Sequence, residues 1–311
     1  NRELDENEKA IKEGGKAAEE SGSKFEGFGK VLKTVGVALG AVAVAAGAAA
    51  VKLGKEVIAA YADYEQLVGG VDTLFKDSSQ EIQRYAANAY KTAGLSANEY
   101  METVTGFSAS LIQSLGGDTE KAAKYADMAI TDMSDNANKM GTDMSSIQNA
   151  YQGFAKQNYT MLDNLKLGYG GTKQEMERLL ADAEKISGVK YDISSYADVV
   201  EAIHVMQESM DIAGTTAKEA EATISGSVNA LKSAVSNLIV GFGDADADME
   251  LLCNNMVDAF KTVVANITPV IENIVAALPT ALDALLTAVG ELLPTLLEAV
   301  TELFSQVLET L

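Results

Sequence analysis

The sequence has little cysteine, histidine, tryptophan or proline, and each shortage excludes or favours a class of protein. Its 311 residues include one Cys, one His, three Pro and no Trp. A single thiol, Cys253, cannot form an internal disulfide, so a disulfide-stapled secreted domain is excluded. His204 alone cannot make a multi-histidine metal site. Average usage would give roughly fifteen prolines. Because proline breaks helix interiors, the shortage predicts long helices.

Charge divides the sequence into three zones. The chain has 45 acidic and 24 basic residues, a net charge of -21, which argues against specific nucleic-acid binding or an anionic membrane surface as the main partner. Residues 1–60 are neutral overall, whereas residues 61–243 carry -11 and residues 244–311 carry -10. We expect four segments: 1–29, 30–60, 61–243 and 244–311.

Residues 1–29 read as the end of a charged coiled-coil helix. Apolar residues recur every seven positions from Leu4, but the companion heptad seam is polar or glycine, so only half of a coiled-coil core is present. The stretch SGSKFEGFG at residues 21–29 then interrupts the helical pattern. The sequence begins at Asn1 and stops within an amphipathic pattern, so we expect it to be part of a longer polypeptide.

Residues 30–60 predict an Ala/Gly-rich apolar helix. Eighteen uncharged residues lie between Lys33 and Lys52, which is about the length needed to cross the hydrocarbon core of a bilayer. Small residues form a stripe on which a second helix could pack closely, as in paired membrane helices. A soluble helix packed against another helix has the same pattern, so both interpretations stay open. The stripe consists of Gly36, Gly40, Ala43, Gly47, Ala50 and Gly54.

Residues 61–243 predict a run of helices with polar caps. Ser96–Glu99, Thr172–Glu175 and Thr216–Glu219 match the S/T-x-x-E capping box of helix starts. Glycines such as Gly69-Gly70 and Gly141 divide the segment into helices of about 12 to 25 residues. There is no sustained period-two pattern. The fold class is therefore predicted to be all-α, an extended multi-helix array with a helical core region and no significant β-sheet.

Residues 244–311 predict acidic amphipathic helices with Leu-Pro repeats. Leu278-Pro279-Thr280 recurs as Leu293-Pro294-Thr295, with the prolines starting or kinking successive helices. One apolar lane has a mean spacing of 3.67 residues, which favours straight or slightly right-handed packing. So wide a face needs a partner, either an intrachain core or a second copy. The lane is Leu278, Leu282, Leu285, Val289, Leu292, Leu296, Val300, Leu303, Val307 and Leu311.

Nothing in the sequence predicts an enzyme, a metal site or a cofactor. No phosphate-binding loop, zinc-protease helix or nucleophile elbow occurs. His204 lies between Ile203 and Val205 in a helical pattern and is interpreted as a structural histidine. The segment at residues 244–248 is similar to the start of a calcium-binding loop, with acidic residues at Asp244, Asp246 and Asp248. Met249 replaces its turn glycine, so an acidic helix cap is the better interpretation.

Four stretches carry a resemblance to a known family. The chain resembles the core of tail tape measure proteins of long-tailed bacteriophages and prophages over roughly residues 56–243. The stretches are YEQLVGGVDTLFKDSSQEIQRYAANAY at 64–90, GLSANEYMETVTGFSASLIQSLGGD at 94–118, LKLGYGGTKQEMERLLADAEKISG at 165–188 and TISGSVNALKSAVSNLIVGFG at 223–243.

The resemblance implies an all-helical virion protein that sets tail length during assembly. Such a protein fills the lumen of the tail tube and leaves ahead of the DNA, and it could help the genome cross the host membrane. The implied partners are tail tube and distal tail or baseplate hub proteins, with self-association as a trimer or hexamer and contact with the host inner membrane. Before ejection it would occupy the host cytoplasm and then the virion. The alternative is a membrane-active helical protein, a pore-former or secreted effector, that works through residues 34–51.

Overall fold

The computed structural model describes the backbone of residues 46–309 and most side chains from residue 55 to residue 297. Every regular element in this range is a helix and no strand occurs in it, which confirms the all-α prediction. The predicted coiled-coil segment, residues 1–29, and residues 30–45 of the Ala/Gly-rich segment lie outside the described residues.

The helices follow one another through short connections. Two 3-10 helices, Lys76–Ser78 and Leu162–Leu165, lie between them. The first helix has 30 residues and the last has 61. Within residues 61–243, where the glycine spacing predicts helices of about 12 to 25 residues, several are shorter, down to seven residues. The α-helices are α1 (Ala46–Phe75), α2 (Ser79–Thr92), α3 (Ala97–Thr105), α4 (Ser108–Ser114), α5 (Thr119–Met140), α6 (Met144–Phe154), α7 (Lys173–Ser187), α8 (Tyr196–Ser209), α9 (Thr215–Ala222), α10 (Ile224–Gly241) and α11 (Met249–Glu309).

The chain divides into two units inside α11. The first unit ends at Thr262 and the second begins at Val263. The division lies later in the chain than the compositional boundary at residue 243, so the first turns of α11 belong to the first unit. Ala259 shows why, because it is buried against Tyr90 of α2 and Ala234 of α10 in a small hydrophobic cluster.

α5 is the central helix of the first unit and packs against α1, α2, α3, α4, α6, α8 and α9. Ala122, Ala126, Ala129 and Met133 recur at intervals of three and four and are fully buried, so they form one apolar face. Three of these four residues are alanines, whose small side chains let the neighbouring helices approach closely. The polar residues near the C-terminal end of α5 are also buried, so that end contributes polar side chains to the core, unlike the apolar face before it.

Aromatic side chains fill one continuous core that extends from Val71 to Ile212. Phe75, Tyr100, Tyr151 and Phe154 are among its largest fully buried side chains. Burial of a side chain of this size contributes about 1.5 to 3 kcal/mol. The Tyr100 hydroxyl donates to Asp127 at 2.8 Å, so its polar end is satisfied within the core.

Two of the three predicted capping residues cap helices. At α3, Ser96 accepts from the Glu99 amide and the Glu99 carboxylate accepts from the Ser96 amide, a complete capping box. At α7, Thr172 accepts from the Glu175 amide at 3.2 Å, but the Glu175 carboxylate accepts from the Gly170 amide.

The third capping prediction is wrong. Thr216 lies inside α9, which begins at Thr215 after Gly214. The donors at this helix start are taken by a carboxylate of another helix, Asp135 of α5, so a local box is not needed.

The predicted glycine stops are partly confirmed. Gly141 and Gly188 end α5 and α7 in the left-handed conformation that glycine adopts easily. The stop at Gly69-Gly70 is wrong, because both residues lie inside α1. Each costs about 1 kcal/mol relative to alanine in a helix. A Cβ at Gly70 would lie 3.6 Å from Thr105 of α3, so packing between α1 and α3 offsets the weak local propensity.

The second unit consists of the rest of α11. Pro269, Pro279 and Pro294 lie inside this one helix, so the prediction that prolines start successive helices is wrong. Each proline removes one backbone donor and crowds the carbonyl four residues earlier. The apolar residues and good helix formers on both sides keep the helix continuous despite these interruptions.

Candidate functional site

The predicted apolar lane lies on α11, and the described part of it faces outward. Leu278 and Leu282 are about half exposed in the structure, as are Val289 and Leu292. Further large apolar residues on the same helix, including Ile271 and others upstream, are equally exposed. Side chains of Leu285, Leu296, Val300, Leu303 and Val307 are not described, and Leu311 lies beyond the described backbone. The second unit therefore presents an apolar surface that its own described residues do not cover.

The opposite face of α11 is acidic. Glu272 and Asp283 are eleven residues apart, which is about three turns, so they share one face of the helix. Both side chains and that of Glu291 are exposed. No basic residue follows Lys261 in the sequence. After Lys261 the helix is therefore amphipathic with charge of a single sign, which keeps the polar face in water and leaves the apolar face for a partner.

One helix in the described part of the chain is long and apolar enough to cross a membrane, as judged by length and composition. The segment is Met249–Pro294, with a mean hydropathy of 1.5 and none of the scored window buried. The segment at residues 34–51, for which the sequence leaves a membrane helix and a packed soluble helix open, lies largely outside the described residues. The sequence feature that could have identified Met249–Pro294 is the stretch from Thr262 to Leu282, in which Glu272 is the one charged residue.

The small-residue stripe is only partly inside the described range. Gly36, Gly40 and Ala43 lie outside it, so their predicted role in helix packing stays a prediction. Gly47, Ala50 and Gly54 lie in α1, and the environment of their side chains is not described.

A buried ion pair links α5 to α8. The Nδ1 atom of His204 lies 2.9 and 3.0 Å from the two carboxylate oxygens of Asp132, which is 1 % exposed. The Nε2 atom of His204 lies 3.5 Å from Glu208. The hydrogen bond to Asp132 raises the pKa of His204. Burial raises the pKa of Asp132 to about 6, although its hydrogen bond to His204 acts in the opposite direction. The interpretation of His204 as a structural residue fits these contacts.

A second buried carboxylate caps a helix from a distance. Asp135 is fully buried and accepts from the Gly214 amide at 2.5 Å and the Thr216 amide at 2.7 Å. These donors would otherwise be unpaired at the start of α9. The negative charge also lies at the positive end of the helix dipole. Asp135 therefore joins two helices that are distant in sequence.

Several buried polar atoms without a good hydrogen bond lie in the part of the core near Asp132. The Tyr151 and Tyr196 hydroxyls and the side-chain amide of Gln207 are buried and lack a hydrogen bond of good geometry among the described residues, although Gln207 lies near enough to the Tyr151 hydroxyl to lower its pKa. Burial raises the pKa of Tyr151, and nearby Asp132 and Tyr196 raise it further. Such groups cost free energy unless water satisfies them, so this part of the core is polar and constrained.

The acidic residues before α11 act as caps. Asp248 accepts from the Leu251 amide at 3.0 Å, and Asp244 accepts from the Asp246 amide at 3.0 Å. The predicted helix cap is thus confirmed at Asp248. Among the described residues no group of three or more His, Cys, Asp or Glu side chains is arranged to hold a metal ion. Cys253 is a free, half-buried thiol in the next turn, and burial raises its pKa.

Comparison with protein families, curated proteins and solved structures finds no match to this chain. The surfaces and contacts described above, together with the sequence patterns, are therefore the basis for inferring function.

Proposed function

We propose that this chain is a structural component of a bacteriophage tail, a tape measure protein that sets tail length during assembly and is ejected ahead of the DNA. The observation that carries the proposal is α11, which runs for 61 residues as one helix through three prolines. Its second-unit part, residues 263–309, corresponds to a rise of about 70 Å. A helix advances by a fixed distance per residue, so a largely helical chain converts residue count into length. The resemblance of residues 56–243 to the tape measure core supports the same function.

The proposed partners follow from the proposed role in the tail. The exposed lane suits self-association, and a trimer or hexamer matches the symmetry of a tail. The tail tube would enclose the protein in the virion, and distal tail or baseplate hub proteins would contact its end. The function requires no catalytic residue and no cofactor.

Tail length is the measurement that tests the proposal. Deletion of residues 271–288 removes eighteen residues, five turns, and keeps the lane in register. Tails assembled with the shortened protein should be about 27 Å shorter in electron micrographs. Replacement of the same residues by eighteen other helix-forming residues is the matched control and should leave the length unchanged. Viable particles with the deletion and full-length tails would overturn the proposal.

A second candidate function, a membrane-active helical protein, is favoured by one observation, the exposed apolar segment Met249–Pro294, which differs from residues 34–51, the segment that the sequence alternative used. In this second candidate function the helix enters lipid once the protein is released. Flotation of the full chain with phosphatidylcholine vesicles separates the two, because a ruler that acts only inside the tail stays in the aqueous fraction.

A further inference from the structure

One stretch of α11 is as long as the hydrocarbon core of a bilayer is thick. We call residues 263–282 the apolar run, and its twenty residues rise by about 30 Å. Most of its large apolar side chains are exposed, and those of Ile271, Val275 and Leu278 are more than half exposed. The described residues of the second unit therefore do not bury the apolar run.

The backbone and hydroxyl groups of the apolar run suit a medium without water. The run is helical throughout, so nearly all of its amides and carbonyls are paired within the helix. The Thr268 hydroxyl donates to the Val264 carbonyl at 2.8 Å and is satisfied in the same way. Pro269 and Pro279 each leave one carbonyl without its helical donor, which membrane helices tolerate. Apart from Glu272, no residue of the run has to lose a charge to enter lipid.

Glu272 places one carboxylate near the middle of the apolar run. It is the tenth of the twenty residues, and its side chain is exposed. A carboxylate is most unfavourable at the centre of a membrane helix, and an apolar medium favours its neutral form. Entry of the run into lipid and protonation of Glu272 therefore favour each other.

The other charged groups on the face of Glu272 lie just outside the ends of the run. Lys261 and Asp283 are each eleven residues from Glu272, which is three turns or about 16 Å along the helix. The second unit consists of α11 alone, so it brings no charged group from another element to Glu272. Lys261 and Asp283 would lie at the two interfaces when the run lies in the hydrocarbon core.

We propose that the apolar run enters the hydrocarbon core of a neutral lipid bilayer when Glu272 is protonated and stays in water when Glu272 is charged. The proposal rests on the second candidate function, membrane activity, and adds the condition under which α11 enters lipid. The lipid is zwitterionic, because an anionic surface repels a chain of net charge -21. The carboxylates that follow the run, from Asp283 onward, also contribute to the pH dependence, so the part due to Glu272 is measured by substitution.

Tryptophan fluorescence of the full chain with phosphatidylcholine vesicles provides the test. The sequence has no Trp, so Ile274→Trp introduces the only one, at an exposed position two residues after Glu272. Transfer to lipid shifts its emission, and lipids with bromine at known depths of the acyl chain measure how deep it lies. We expect partition into vesicles at pH 5 to be at least about tenfold stronger than at pH 7.5, with the strongest quenching by the deepest bromines.

Glu272→Gln in the same background separates this carboxylate from the others. Glutamine has the same size and no charge, so partition at pH 7.5 should rise at least about tenfold, with little change at pH 5. Glu250→Gln, in the first turn of α11 and outside the run, is the matched control and should leave partition unchanged at both pH values. Circular dichroism without lipid checks that all variants have the same helix content at both pH values.

The outcomes distinguish the role of Glu272 from membrane activity itself. Equal partition of the parent chain at the two pH values, or no gain from Glu272→Gln at pH 7.5, would overturn the role of Glu272 and leave membrane activity intact. Quenching by shallow bromines alone would overturn insertion, because the helix would then lie on the surface. No partition of any variant at either pH would remove the membrane-active function together with the proposal, and emission that then depends on protein concentration would assign the apolar run to a second copy.

Discussion

The pair of Asp132 and His204 couples the stability of the first unit to pH. Both groups have a higher pKa in the folded chain than in the unfolded chain, Asp132 at about 6 against an ordinary 3.8, and His204 above 6.5. The folded state therefore binds protons more tightly than the unfolded state. The stabilisation is complete at low pH and is lost as pH rises through the folded values. Exposed carboxylates with lowered pKa, such as Asp143 and Asp182, act in the opposite direction but titrate below this range.

We expect the free energy of unfolding to fall as the pH rises from 5 to 8. Asp132→Asn should flatten this dependence, because the asparagine keeps an acceptor for His204 but does not titrate. The part of the loss due to Asp132 between pH 5 and pH 8 should be on the order of 1 to 1.5 kcal/mol, since one pKa unit corresponds to about 1.4 kcal/mol and much of the shift from 3.8 to about 6 lies below pH 5. Urea unfolding followed by circular dichroism at several pH values measures it. Glu120→Gln, an exposed control, should leave the slope unchanged, and an unchanged slope in Asp132→Asn would contradict the assignment.

At the scale of helices, α9 depends on α5 for its start. Gly214, the N-cap residue before α9, supplies no side-chain acceptor. The eight residues of α9 are too few to form a stable helix alone. Asp135 provides the missing acceptor and a favourable charge at the helix end. A short helix is thus stabilised by a carboxylate on a neighbouring element.

Asp135→Ala should cost about 2 to 5 kcal/mol, because it leaves the partly buried Gly214 amide and the buried Thr216 amide without an acceptor. Asp143→Ala removes an exposed cap of α6, where water can replace the carboxylate, and should cost about 1 kcal/mol. Chemical denaturation of both variants gives the comparison. Equal costs would show that the long-range cap adds nothing beyond an ordinary one.

Sequence patterns predict the helical class and several helix ends. The remaining features depend on contacts between residues that are distant in the sequence, so local patterns do not predict them. Ser96 could be identified because its partner Glu99 lies three residues later, and Gly141 could be identified because glycine adopts the left-handed conformation of a helix end easily. Asp135 could not, because its partners follow 79 and 81 residues later. The stop at Gly69-Gly70 fails for a similar reason, since packing against α3 overrides local propensity. The apolar lane could be predicted from spacing alone, because all of its residues belong to one helix.

At the scale of the whole molecule, the acidic charge and the exposed lane act together. A net charge of -21 keeps separate chains apart, so association must gain more from apolar burial than it loses to repulsion. The acidic face of α11 lies away from the lane, which allows the lanes of several copies to meet with their carboxylates outward. Added salt should therefore favour association.

Self-association should depend on the lane and not on charge alone. Leu282→Asp with Leu292→Asp places carboxylates on two described, exposed lane positions and should dissociate the assembly. Each leucine buried between copies would contribute about 1.5 to 3 kcal/mol. Sedimentation of the full chain at equal concentrations measures the change. Thr280→Asp, on the opposite face, is the control and should leave the assembly intact. A wild-type chain that sediments as a monomer would contradict the prediction.

The cap at α9 also has a consequence for the order in which the chain acquires structure. Asp135 leaves the ribosome before Gly214 and Thr216, so the acceptor is in place before its donors are synthesised. We expect the first turn of α9 to form only when α5 is in place, because the acceptor for its amides lies on α5. The amide hydrogens of Gly214 and Thr216 should therefore exchange with solvent deuterium only when α5 and α9 separate, unlike those of helices whose caps are local. Two backbone amides in a short helix thus report on the separation of α5 and α9.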